Sequence, residues 1–251
     1  VPAPPEVPPR QPPTGRGAAE GRIELGLAYA GVRFRQGRYQ ECVRWCRDVL
    51  FDSDSIGNRS GLAHAYYLVG HALSFLGDPE GSDYRALALP IYEELGDLVG
   101  QANVLNNLGV DAYFQGNWEE ALDFYRRSAE ARQKAGDVVG AATAENNIGE
   151  ILSDQGCLEE GEPLFRDSLD VWRAARYSVG VALATSNLGR LAGRAGRLEE
   201  ARELLQEALG IFQEIGATSF IVETQARVSE VLLQIGNHQE AIELIEAVLR
   251  R

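Results

Sequence analysis

The chain has 251 residues, with 24 Lys+Arg against 37 Asp+Glu and a formal net charge of −13. So acidic a surface is a poor match for the phosphate backbone of DNA or RNA, which is held by basic groups. Three cysteines and 45% hydrophobic residues describe a reduced, cytoplasmic globular protein rather than a disulfide scaffold. The acidity is uneven: residues 1–60 hold nine Arg and seven Asp/Glu, so residues 61–251 hold the other fifteen basic and thirty acidic residues. No Met occurs, so the chain reads as a processed product or a piece of a larger protein. The longest uncharged run, Ser60 to Gly77, contains His64, His71 and Ser74 together with Gly61, Gly70 and Gly77. It suits a buried helix better than a membrane span.

Residues 1–13, VPAPPEVPPRQPP, carry seven of the ten prolines. Proline fixes φ and removes the backbone donor, which predicts an extended linker without a core, continued by TGRGAAEG to residue 21. From residue 22 onward the chain repeats. Glycines stand at 37, 77, 116, 156, 196 and 236, at steps of 40 with one of 39. NNLG (106–109), NNIG (146–149) and SNLG (186–189) recur at a strict 40, and Gly96-Asp97 returns as Gly136-Asp137 before decaying to Arg176-Tyr177. A period of this length marks stacked supersecondary units.

Apolar spacing inside each unit is helical. Leu105, Leu108, Ala112 and Tyr113 share one face before Gly116 breaks the helix, and Trp118, Ala121, Leu122, Tyr125 and Ala129 share the next. Glu-Glu pairs at 119, 159 and 199 fall in the first turn of each second helix, where carboxylates suit the positive helix end. Gly96 and Gly136 suit left-handed C-caps, and Asp97 and Asp137 suit the N-caps that follow. The reading predicts first helices near 22–35, 58–75, 98–114, 138–154, 178–194 and 218–234. Second helices are predicted near 39–50, 80–94, 118–134, 158–175, 198–214 and 238–251.

These units resemble tetratricopeptide repeats of the 40-residue subclass, similar to kinesin light chain, to LGN/Pins-type adaptors and to C-terminal regions of bacterial signalling ATPases, adenylyl cyclases and transcriptional regulators. The small residue expected at position 8 is Ala30, Gly70, Gly109, Gly149, Gly189 and Ser229; that at position 20 is Cys42, Gly81, Ala121, Gly161, Ala201 and Ala241. The aromatic at position 24 survives as Tyr125 and Phe165 but is Cys46, Arg85, Leu205 and Ile245 elsewhere, and the closing proline is absent. The resemblance implies an all-α, right-handed superhelical α-solenoid of six helix-turn-helix repeats. Its units are 22–57, 58–97, 98–137, 138–177, 178–217 and 218–251. For function it implies protein or peptide binding alone. Small residues at positions 8 and 20 let two helices cross closely.

No phosphate loop, metal cluster or nucleophile–base set stands out, so neither an enzyme nor a cofactor is expected. His64 and His71 lie too far apart along one helix to share an ion, and Cys42 and Cys46 occupy core positions. In the resembling fold, positions 2, 5, 6, 9, 12 and 13 of the first helices line a concave groove. The candidate peptide-binding residues there are Asn103, Asn106, Asn107, Tyr113, Asn146, Asn147, Glu150, Asn187, Arg190 and Arg194. An Asn offers donor and acceptor together, so a ladder of Asn can pair with an extended peptide backbone or can bridge neighbouring repeats. Arg190 and Arg194, one turn apart, suit a carboxylate or an ion pair with acidic neighbours such as Glu150, Glu223 and Glu230.

The leading expectation is a non-catalytic binding scaffold from a larger cytosolic bacterial signalling or regulatory protein. Its partner is a protein or an extended peptide, with no nucleic acid and no membrane. The alternatives are a sensor of a small ligand or signal peptide, and self-association. Helix 238–251 ends the chain with Ile242, Ile245 and Leu249 on a bare face, which makes it a candidate homodimer contact.

Overall fold

A computed structural model describes residues 15–249; the side chains of Ala247 and Val248 are not described. The predicted proline-rich segment 1–13 lies outside these residues. Twelve helices and no strand occur among the described residues. The odd-numbered helices open the six pairs: α1 Arg16–Arg35, α3 Arg59–Phe75, α5 Leu98–Phe114, α7 Val138–Asp154, α9 Ser178–Arg194 and α11 Thr218–Ile235. The even-numbered helices close them: α2 Tyr39–Ile56, α4 Glu80–Leu95, α6 Trp118–Lys134, α8 Leu158–Ala174, α10 Leu198–Glu214 and α12 His238–Leu249.

The linker was expected to run to residue 21, but α1 begins at Arg16. The last proline of the N-terminal segment is Pro13, and the Ala18-Ala19 pair that follows favours a helix. Burial of Ala19 and Ile23 holds this first turn in place despite Gly17 and Gly21.

The helix ends follow the glycine register. Gly37, Gly77, Gly116, Gly156, Gly196 and Gly236 all turn with φ between 71° and 91°, a region closed to most side chains. Arg176, where the Gly-Asp marker decays, is the one non-glycine described residue at positive φ, 54°. Asp97 and Asp137 cap α5 and α7 through Oδ1, which accepts from Gly100 N at 2.9 Å and from Gly140 N at 2.8 Å.

Two compact units divide the chain, residues 1–111 and 112–251, with the boundary inside α5. In the first, α1 packs on α2, α2 on α3 and α3 on α4. A Cβ added to Gly70 would lie 2.6 Å from Gly81 O, and one added to Gly81 would lie 2.7 Å from Gly70 O, so the small residues at positions 8 and 20 mark a real backbone crossing. Val69 and Ala72 of α3 join Cys42, Val43, Cys46 and Val49 of α2 in one core, which places both cysteines in packing roles. In the second unit, each helix from α6 to α12 packs on the next. Leu188 and Leu191 of α9 pack with Phe165, Leu169 and Trp172 of α8. Val228 and Val231 of α11 pack with Leu205 of α10. A first helix is therefore held by the second helix before it.

Candidate functional site

A cavity of about 370 Å³ opens in the second unit, and its walls come mainly from successive first helices. Asn146, Asn147 and Glu150 of α7 face it beside Ser186, Asn187 and Arg190 of α9 and Glu223, Thr224 and Arg227 of α11. Tyr113 and Phe114, at the end of α5, and Leu183, Phe212 and Phe220 supply its apolar surface. Phe212 and Phe220 stack with ring centroids 5.0 Å apart. Residues spaced 40 apart meet here because each repeat presents the same helix face.

Polar bridges run from repeat to repeat. The Asn187 amide donates to Asn146 Oδ1 at 3.3 Å and also bonds the Glu150 carboxylate. Asn187 Oδ1 accepts from Arg227 Nη1 at 3.1 Å, and the same nitrogen reaches Ser186 Oγ at 2.9 Å. Arg227 Nη2 closes on Glu223 at 2.5 Å. Asn146 and Asn187 are buried, and Asn187 spends its amide on neighbouring side chains. At Asn146 and Asn187 the amides bridge neighbouring repeats.

A second knot lies around Asp154. It receives the Tyr113 hydroxyl at 2.5 Å, Arg194 Nη1 at 2.7 Å and Arg190 Nη1 at 3.3 Å. Burial raises the Asp154 pKa, but the Tyr113 hydroxyl and the two guanidiniums outweigh it and hold the carboxyl below its ordinary value. Burial, then the bond to Asp154, pushes the Tyr113 hydroxyl up to about 12. Glu150 moves the other way: burial raises its pKa, and Arg190, Arg227 and the Asn187 bond only partly offset this. Burial likewise pulls the Arg227 guanidinium down.

Arg190 is the least satisfied side chain of the group. Its Nε and Nη2 are buried without a hydrogen-bond partner in the protein, and it faces the cavity with the side chain 19% exposed. Arg194 faces elsewhere. Its Nη1 is taken by Asp154 and by the Ser153 carbonyl at 2.6 Å, and it does not line the cavity. The basic pair facing the cavity is thus Arg190 with Arg227, in place of the expected Arg190 with Arg194. The ion pair drawn from Arg190 to Glu150 or Glu223 is made instead to Asp154.

Six of the ten candidates, Tyr113, Asn146, Asn147, Glu150, Asn187 and Arg190, line this one cavity. Asn103, Asn106 and Asn107 belong to the first unit, half-buried on α5, where Asn107 Nδ2 lies 3.4 Å from Tyr67 Oη. Arg227 and the aromatic wall were not among the candidates. The register signalled Arg227, which holds the place of Asn107, Asn147 and Asn187 in its own repeat.

A family model for the tetratricopeptide repeat matches residues 63–134 and 140–214, more than half of the chain. The chain belongs to the tetratricopeptide-repeat family. No curated protein matches it. Among solved structures it is similar to BtubC (BKLC) from P. vanneervenii, at 19% identity and a TM-score of 0.66, covering 80% of this chain and 91% of that one. It is also similar to NprR in complex with its cognate peptide NprX, at 15% identity and a TM-score of 0.72, covering 91% of this chain and 66% of that one. A Rap protein complexed with competence and sporulation factor matches at 13% identity and a TM-score of 0.70, covering 92% and 76%. At these identities the likeness is one of fold. No helix among the described residues is long and apolar enough to cross a membrane.

Proposed function

We propose that this tetratricopeptide-repeat chain is a non-catalytic scaffold that binds a short, extended peptide segment in the cavity of residues 112–249. The carrying observation is Arg190, with two buried guanidinium donors that no protein group uses. A buried donor left unmade costs about 1–3 kcal/mol, so a ligand oxygen arriving there recovers energy that folding left unspent. The ligand group that fits is an acidic side chain or a terminal carboxylate, held by charge-assisted bonds from Arg190 with Arg227 near by. Asn147 and Tyr113 stand on the same wall, and Phe114, Phe212 and Phe220 offer apolar area to a neighbouring side chain. A volume of about 370 Å³ lies within the roughly 300–1,000 Å³ usual for ligand pockets and suits a few residues rather than a folded partner.

The peptide complexes of NprR and of the Rap protein, each on a related fold, agree with this reading. The chain then acts by binding within a larger cytoplasmic signalling protein. The small volume equally favours a second reading, a sensor for a small anionic ligand. Native mass spectrometry of protein purified from cells separates the two by the mass of what is retained. Selection from a randomised peptide library, followed by calorimetry with wild type and Arg190→Gln, tests the first. Recovered peptides should share an acidic residue or a free C-terminus and lose at least tenfold in affinity on the substitution. Peptides that bind both proteins equally would overturn it.

A further inference from the structure

Two charged groups in the cavity of the second unit are left incompletely answered by the protein, and they are opposite in sign. Arg190 of α9 keeps Nε and Nη2 buried and unpartnered, with Nη1 3.3 Å from Asp154. Glu150 of α7 stands one repeat earlier at the same register and faces the same space. Among the described residues no salt bridge reaches the Glu150 carboxylate, which takes a hydrogen bond from Asn187. Arg190 pairs instead with Asp154, one turn further along α7. The attraction of Arg190 and Arg227 and the Asn187 bond do not outweigh the burial of Glu150, so its charge is under-compensated. The other charges of the wall are matched. Arg227 binds Ser186, Asn187 and Glu223, and Asp154 receives Tyr113, Arg190 and Arg194.

Resting on the peptide reading above, we infer that the bound segment is dipolar: beside the acidic group held by Arg190 it carries a basic side chain or a free N-terminal ammonium, which Glu150 receives. Both ends follow one physical argument. A buried charge without a full set of partners is costly, and a ligand group of opposite sign supplies what folding did not. A purely anionic segment would bring its charge close to Glu150 and be repelled there, whereas a dipolar segment is attracted at both points. Glu150 therefore selects, among acidic segments, those with a base near by. The spacing is short. Asn187 and Asn146 join α9 to α7 directly, at 3.3 Å. Helix axes in contact lie about 8–10 Å apart. An extended chain advances about 3.3 Å per residue, so the base lies within about three residues of the acid.

The test is selection from a randomised synthetic peptide library on wild type and Glu150→Gln, with circular dichroism and melting temperature as the check on folding. Wild type should enrich an acidic group with Lys, Arg or a free N-terminus close to it. Glu150→Gln should keep the acidic preference and lose the basic one. Calorimetry then takes one selected peptide, the same peptide with its base changed to Gln or its N-terminus acetylated, and the same peptide with its acid neutralised. Removing the base should weaken binding to wild type by roughly fivefold or more and leave binding to Glu150→Gln unchanged. Removing the acid should weaken binding to both proteins. Selected peptides that carry an acid and no base overturn the inference, as does a base whose removal weakens both proteins equally, and in either case the acidic contact of Arg190 stands. Selected peptides that carry neither charge overturn it together with the reading on which it rests.

Discussion

The two units share one backbone register and fill it with different chemistry. Where α1 and the start of α2 meet α3 the side chains are aromatic: Phe34 lies 4.6 Å from the His71 ring, and Tyr39 stacks on Phe75 at 4.9 Å. Burial, helped by the Arg85 charge, pulls the His71 pKa down. Between α7, α9 and α11 the corresponding helix faces carry Asn, Glu and Arg, knotted into a network around a cavity. The first unit fills these helix faces with aromatic rings; the second lines a cavity with polar groups, among them Arg190 with two buried, unpaired donors. Repeat architecture fixes where a side chain points, and the residue placed there decides whether the spot is filled or available.

Substitutions in the two units should have unequal consequences. The largest effect is expected in the first unit, where the buried Arg85 guanidinium replaces the position-24 aromatic and pairs with Asp111, Gly70 O and Ser74 Oγ. Asp111→Ala should cost about 3–5 kcal/mol in denaturant unfolding, because it strands a buried charge. Adding Arg85→Met to that variant should restore most of the loss. If Asp111→Ala is neutral, the first unit does not depend on the Arg85–Asp111 ion pair.

In the second unit, Asp154→Ala should cost about 1–3 kcal/mol, since Tyr113, Arg190 and Arg194 all lose their shared acceptor. Asp154 titrates below its ordinary value in the folded chain. Its contribution is therefore full at neutral pH and disappears as pH falls through that depressed value. A variant penalty that is the same at acidic and neutral pH would contradict the assignment. Asn187→Ala should cost about 1 kcal/mol in melting stability by cutting the bridge between Asn146 and Arg227. An unchanged melting curve would show that the bridge carries no stability.

The smallest effect has the opposite sign. Glu150 holds its proton more tightly in the folded chain than in the unfolded one, so ionising it costs stability as pH rises above its ordinary value of 4.5. Glu150→Gln should raise the melting temperature slightly at neutral pH and match wild type below that value. A fall at neutral pH would mean that its attraction to Arg190 and Arg227 outweighs burial.

The positions were legible in the sequence, and the rotamers were not. Glycine at each turn and small residues at positions 8 and 20 announce helix pairs because only those residues tolerate the φ and the close crossing. That is why most helix boundaries fall within a residue or two of expectation. The start of α1 was missed because Gly15, Gly17 and Gly21 read as linker, while the burial of Ala19 and Ile23 is a tertiary fact. The same limit applies to the basic pair. Arg190 and Arg194 lie on one helix face, but a side chain of Arg length can turn to a neighbouring carbonyl, and Arg194 turns to Ser153. Arg227 reaches the cavity from the next repeat, a contact that spacing within one helix does not reveal.

In the proposed complex, Arg190 receives an anionic group of the bound peptide. That contact is tested most directly by calorimetric titration of library-selected peptides, in free-acid and amidated or Gln-substituted forms, against wild type and Arg190→Gln. The account predicts tight, salt-sensitive binding of the acidic form to wild type, at least tenfold weaker binding to Arg190→Gln, and no preference for the acidic form in the variant. Equal affinity of both peptide forms for wild type, or equal affinity of wild type and variant for the acidic form, would contradict it.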